Sequence, residues 1–235
     1  MIEPESLPIH QVIPGVRQAL ARAGHAVLVA EPGAGKTTVV PLQLLAEPWL
    51  LGRKIVMLEP RRLAARYAAR RMAVTLGEPV GSTVGHRVRF DTRVSPRTRL
   101  EVVTEGVLTR MLQDDPALES VGLVIFDEFH ERSLQGDTGL SLTLQSRSVL
   151  RLDLRILVMS ATIDAGAVAS LLGQAPVIEC PGHVFPVETR YRPPRADRFL
   201  EANVAAVVRE ALTQERGDVL VFLPASARSI GFETR

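Results

Sequence analysis

With one cysteine, Cys180, the chain can form no internal disulfide. That absence fits a reducing, cytoplasmic setting and leaves Cys180 to be read as a small core residue. Residues 1–10 are acidic and proline-containing, with no basic stretch and no apolar core, so no secretory signal is expected there. No uninterrupted apolar run approaches the roughly 20 residues of a membrane-spanning helix. Repeats and low-complexity tracts are missing too. Net charge is only +2, so bulk charge says little about a nucleic-acid partner. What is present is the make-up of a soluble globular protein: 46% hydrophobic and 23% charged residues.

Short apolar runs alternate with helical patterns along most of the chain. Strands are expected at 26–30, 54–58, 100–103, 122–126, 155–159 and 177–180. Between them, helices are expected at 37–45, 62–76, 105–112, 137–150 and 165–172. Continuous apolar strands alternating with helices imply an α/β fold, a mostly parallel sheet covered on both faces. After residue 180 the pattern breaks at Pro181-Gly182, Pro186 and Pro193-Pro194. A helix at 199–212 and a strand at 219–223 are expected beyond the break. So short a piece cannot bury a core of its own. The expected division is therefore a first domain at 1–183, then a linker and the start of a second domain at 184–235.

One loop is chemically explicit. Ala30-Glu31-Pro32-Gly33-Ala34-Gly35-Lys36-Thr37 follows an expected strand and opens an expected helix. That is the setting of a phosphate-binding P-loop. Gly33 and Gly35 let backbone amides turn inward around phosphate oxygens, and the helix aims its positive end at the same anion. Lys36 is expected to reach the terminal phosphates and Thr37 to hold Mg²⁺. Glu31, Pro32, Ala34 and Thr38 complete the expected nucleotide cradle. A glycine-rich turn that merely precedes a lysine is the bland alternative, and agreement of strand, loop and helix weighs against it.

The strand at 122–126 ends in Asp127-Glu128-Phe129-His130. Acidic residues at the carboxyl end of a parallel strand sit where such sheets bind ligands. Asp127 is expected to bind Mg²⁺ with Thr37, and Glu128 to orient and deprotonate an attacking water. Lys36, Asp127, Glu128 and His130 form the candidate catalytic set. A zinc protease is excluded, because His130-Glu131 would need a second histidine where Leu134 stands. Arginines cluster at 61, 62, 66, 70, 71, 87, 89, 93, 97 and 99. They read either as a solvated face or as a local phosphate-binding surface.

In order, 30–37, Pro60-Arg61-Arg62-Leu63-Ala64-Ala65, Thr104-Glu105-Gly106, 127–130 and Ser160-Ala161-Thr162 resemble motifs I, Ia, Ib, II and III of superfamily 2 helicases, DEAH/DExH group. The stretch Asp127-Glu128-Phe129-His130-Glu131-Arg132-Ser133-Leu134 resembles the bacterial HrpB-type branch, as do residues 58–62 and 94–98. Ala30 stands where the generic loop has glycine, and Phe129 where the motif usually has alanine. The resemblance implies a RecA-like ATP-binding domain, a second RecA-like domain, ATP and Mg²⁺ in the cleft between them, and single-stranded RNA across both, with DNA left open. It implies RNA-backbone contacts by Pro60, Arg61, Arg62, Arg87 and the Thr104-Glu105-Gly106 turn. It places Arg71 against the nucleotide base and gives Ser160, Ala161 and Thr162 a coupling role. No adenine-reading glutamine motif precedes the P-loop, so loose base selectivity is expected. The family pattern fades after residue 224, without the motifs that carry its arginine fingers, so weak activity of these residues alone is expected. A nucleotide- and RNA-binding module without turnover is the alternative. Another kind of P-loop enzyme fits poorly with Pro60-Arg61-Arg62 and Ser160-Ala161-Thr162.

Overall fold

The computed structural model describes residues 7–161, 165–182, 187–197 and 199–223. It comprises two compact units, Met1–Val184 and Phe185–Arg235. The first unit is built on eight strands: β1 (His25–Ala30), β2 (Lys54–Leu58), β3 (Val84–Val88), β4 (Asp91–Arg93), β5 (Leu100–Val103), β6 (Val121–Phe126), β7 (Arg155–Ser160) and β8 (Val177–Cys180). Six of its helices are α1 (Ile13–Ala23), α2 (Lys36–Leu44), α3 (Arg62–Thr75), α4 (Glu105–Asp114), α5 (Leu134–Val149) and α6 (Ala165–Leu171).

The sheet order is β4-β3-β5-β2-β6-β7-β1-β8. Every pairing is parallel except the β3–β4 hairpin. The strands read as unbroken apolar runs because both faces are buried, and side chains alternate between two cores. Ile55, Met57, Leu123, Ile125, Leu157 and Met159 pack on one face with Val16 and Leu20 of α1, Val40 and Leu44 of α2, and Ala69 and Met72 of α3. Val56, Leu58, Val124, Phe126, Ile156 and Val158 pack on the other with Leu108 and Leu112 of α4, Leu140 of α5 and Val168 of α6. Cys180 is buried in the first of these cores, as expected.

Sequence reasoning passed over α1. Its apolar residues Ile13, Val16, Ala19 and Leu20 recur on a helical period. Pro14 and Gly15 near its start look like breakers, but proline is favoured in a first helical turn. The preceding 3₁₀ turn, Pro8–Gln11, donates the Ile9 amide to the Ala34 carbonyl at 3.3 Å and so braces the P-loop.

The second unit contains α7 (Leu200–Gln214), none of whose residues is buried. Arg192 pairs with Glu210 at 2.7 Å and Arg190 with Glu215 at 2.9 Å. The strand expected at 219–223 is not formed: those residues are irregular and pair with no strand among the described residues. An apolar run becomes a strand only where a ladder neighbour takes its amides and carbonyls. No helix among the described residues is long and apolar enough to cross a membrane.

Candidate functional site

The order β6-β7-β1 sets three carboxyl ends side by side, and each carries a residue that the sequence singled out. From β1 the chain enters the P-loop, where Gly33 and Gly35 take left-handed φ of 83° and 99°. Gly35 has a second reason to be glycine, since a Cβ there would stand 2.9 Å from Leu7 Cδ1. Lys36 begins α2 and is only 4% exposed. Its Nζ lies 2.9 Å from Glu128 Oε1. A buried ammonium is tolerated only with an anion beside it, and here the acidic strand end supplies one.

Asp127 follows β6 and is buried. Its Oδ1 accepts the Glu128 amide at 2.9 Å, and its Oδ2 is buried without a hydrogen-bond partner among the described residues. Burial pushes the Asp127 carboxyl up to about 6, and the charge of Glu128 adds to the rise. The Thr37 side chain and Lys36 pull against it. Ser160, at the end of β7, is fully buried, and its Oγ also lacks a partner among the described residues. His130 Nδ1 sits 3.3 Å from Glu128 Oε2 and 3.5 Å from the Ala161 amide nitrogen, so it spans the acidic turn and the end of β7. Thr162 lies outside the described residues.

The acidic turn is an unusual piece of backbone. Glu128 has φ 49° and Arg132 φ 41°, both left-handed, on either side of the 3₁₀ turn Phe129–Glu131. Such values are held only where surroundings fix them. Phe129 is one anchor. It is buried edge-on against Phe126, with ring centroids 6.2 Å apart, and carries the Arg132 guanidinium 5.5 Å from its own centroid. That packing accounts for a large aromatic at a position where alanine is usual.

Two cavities adjoin at Pro60 and Glu105. The smaller, about 140 Å³, is lined by Leu58, Arg61, Asp127, Glu128, Glu131 and Ser133 among others. The larger, about 780 Å³, lies between the β3–β4 hairpin and α4 and is lined by Arg62, Arg87, Arg89, Thr104, Gly106, Arg110 and Gln135. Pro60, Arg61, Arg62, Arg87 and the Thr104-Glu105-Gly106 turn are thus brought together on one wall system. Arg71 is apart from them, exposed on α3.

Sequence reasoning missed three residues here. Glu59 follows β2 at 4% exposure, with Oε2 unpartnered among the described residues. Burial and then the charges of Asp127, Glu128 and Glu131 push its carboxyl up to about 8. A carboxylate ending the apolar run KIVML was the available signal. Glu101 is buried inside β5 and takes Arg87 Nε at 2.6 Å and Lys54 Nζ at 2.7 Å. Burial pushes its carboxyl up, but Arg87 and Lys54 outweigh that and hold it below the usual range. Arg110 is the third, a helical charge with no sequence mark of its own. Among the described residues no cluster of histidine, cysteine and carboxylate groups suits a metal held by protein alone.

This geometry stands beside three kinds of likeness. A family model described as DEAD/DEAH box helicase matches residues 11–171. The chain is 53% identical over 219 residues to the ATP-dependent RNA helicase HrpB of Escherichia coli, covering 93% of this chain and 27% of that protein. It is 35% identical over 225 residues to the ATP-dependent RNA helicase HrpA homolog of Haemophilus influenzae, covering 95% and 17%. Among solved structures, the E. coli DEAH/RHA helicase HrpB superposes with a TM-score of 0.85 at 52% identity, over 94% of this chain and 28% of that one. The E. coli DExH-box NTPase HrpB gives 0.76 at 51%, over 96% and 28%. The chain therefore spans little more than a quarter of the length of the HrpB proteins that it matches.

Proposed function

The chain belongs to the DEAD/DEAH box helicase family, and on that premise we propose that it is the ATP-binding part of a motor that moves on single-stranded RNA. The observation that supports this most is the Lys36–Glu128 contact at 2.9 Å above a buried, half-satisfied Asp127. Glu128 Oε1 takes the anion position beside Lys36 that a phosphate oxygen would take.

The residues suit Mg²⁺ and ATP. The left-handed glycines open the P-loop backbone toward an anion, and Asp127 Oδ2 is a buried acceptor in need of a donor or cation. Thr37 and Asp127 would hold Mg²⁺, and residues 31–38 would hold the phosphates. The bound Mg²⁺ supplies positive charge to oxygens that gain negative charge during transfer. With phosphates bound, Lys36 would pair with them, and Glu128 would orient water and take its proton. His130 lies between Glu128 and the Ala161 amide, where its Nδ1 can donate to the carboxylate or accept from the amide, one at a time, and so link the acidic turn to the end of β7. Arg71, exposed on α3, makes a stacking contact open to any base, so selectivity among nucleotides is loose.

RNA lies along the larger cavity. Arg61, Arg62 and Arg87 meet backbone phosphates, with the turn Thr104-Glu105-Gly106 at the wall. Such contacts carry no sequence information and weaken with salt. Residues 184–235 are read as the linker and opening of a second RecA-like lobe. The test is titration calorimetry with Mg·ATP and Mg·ADP. Lys36→Ala weakens binding at least about tenfold, since loss of one charge-assisted contact removes roughly 1.5–3 kcal/mol. Unchanged affinity would sink the P-loop assignment.

A further inference from the structure

Arg61 and Glu131 form a two-point fork across the smaller cavity. Arg61 Nη2 lies 3.0 Å from Glu131 Oε1, and Arg61 Nε donates to Glu131 Oε2 at 3.2 Å. Planar guanidinium and planar carboxylate meet edge to edge, the same geometry in which arginine takes a phosphate. Arg61 itself is largely exposed, with 72% of its side chain open to solvent. Glu131 is the last residue of the 3₁₀ turn that follows Glu128. The guanidinium offered to the RNA path is therefore already occupied by a carboxylate of the acidic turn.

We infer that Glu131 is a built-in competitor of the RNA backbone: it holds the Nε–Nη2 edge of Arg61, and a phosphate that takes that edge must displace it. This rests on the reading of Arg61 as an RNA contact. The argument is one of charge and geometry. Each guanidinium edge accommodates one bidentate anion, so Nε and Nη2 cannot serve Glu131 and a phosphate together in that fork. The exchange swaps one anion for another at Arg61, and the displaced Glu131 carboxylate turns into solvent. Glu105, on the opposite wall, does not compete in this way. Its Oε1 is engaged by the Ser133 hydroxyl.

The experiment is a double-mutant cycle read by fluorescence anisotropy with labelled oligouridylate at low and moderate salt. Glu131→Gln keeps the shape and removes the anion. It is expected to tighten RNA binding roughly twofold to fivefold, the range of an exposed ion pair. Arg61→Ala is expected to weaken binding, and Glu131→Gln placed on top of Arg61→Ala is expected to leave affinity where Arg61→Ala set it. A change in folding alone would not cancel in that way, and thermal unfolding of each variant checks that all are folded. The inference is overturned if Glu131→Gln leaves affinity unchanged or lowers it while Arg61→Ala still weakens binding. It is equally overturned if the gain persists without Arg61. If Arg61→Ala has no effect, the RNA reading of Arg61 falls, and the competition falls with it.

Discussion

Glu59 adds to the pH behaviour of the site alongside Asp127. Its carboxyl is pushed up to about 8 by burial and by the charges of Asp127, Glu128 and Glu131, with Lys36 opposing. A carboxyl whose folded pKa lies above its unfolded value stabilises the fold fully below the unfolded value, about 4.5. That contribution is lost as pH rises toward 8, because the unfolded chain gives up the proton first. Glu59→Gln mimics the protonated form at every pH. In metal-free, nucleotide-free protein it is expected to leave stability near pH 5 almost unchanged. Near pH 8.5 it should raise Tm by about 2–4 °C for each kcal/mol regained. Calorimetric scans of both proteins across that window check this. A stability difference that does not grow with pH would show that Glu59 is ionised in the fold. The same residue marks the limit of reading a site from sequence. Lys36, Thr37, Asp127 and Glu128 stand out in the sequence because phosphate and Mg²⁺ chemistry calls for those types at those spacings. Glu59 and Glu101 carry no such signature. Their importance comes from burial beside other charges, which depends on strands distant in sequence.

At the scale of elements, the strands were legible because burial on both faces writes them as continuous apolar runs. The observed β1, β2, β5, β6, β7 and β8 fall within a residue or so of expectation at either end. The irregular stretch 219–223 failed for the converse reason, since an apolar run specifies a strand only together with its neighbour. Helix starts were less legible. The start of α5 was expected at residue 137 and lies at Leu134, because Ser133 is its cap. The Ser133 hydroxyl accepts the Gly136 amide at 2.8 Å and donates to Glu105 at the start of α4. One hydroxyl thus caps the helix that follows the acidic turn and ties it to the Thr104-Glu105-Gly106 turn. Ser133→Ala is expected to destabilise the protein by about 1 kcal/mol through the lost cap. It should also weaken RNA binding modestly, since Glu105 loses the donor that fixes it. Denaturant melts and anisotropy titrations report the two effects separately. Loss of stability without any change in RNA binding would confine Ser133 to capping.

For the whole molecule, the question is how much of a motor these residues supply. The first unit brings the Lys36 ammonium and the Asp127 and Glu128 carboxylates together beyond the ends of β1 and β6. Among its described residues, Lys36 is the cation paired with Glu128, while Arg61 is held by Glu131. Phosphoryl transfer gains several orders of magnitude when an arginine is added at the γ-phosphate. In the second unit Arg190 and Arg192 are tied to carboxylates of their own unit, and none of its other arginines stands in a stretch that resembles the family's arginine-finger motifs. Residues 1–235 are therefore expected to bind Mg·ATP yet release phosphate slowly, with little response to RNA and no duplex unwinding. A protein of the relatives' full length, carrying this sequence at its start, is expected to turn over roughly a thousandfold or more faster. In that longer protein Glu128→Gln should abolish turnover while sparing ATP binding, because the amide keeps the side chain's shape but cannot take a proton. Steady-state phosphate release from both lengths decides the matter. Brisk, RNA-stimulated hydrolysis by residues 1–235 that vanishes in Glu128→Gln would show that one lobe carries the whole catalytic apparatus.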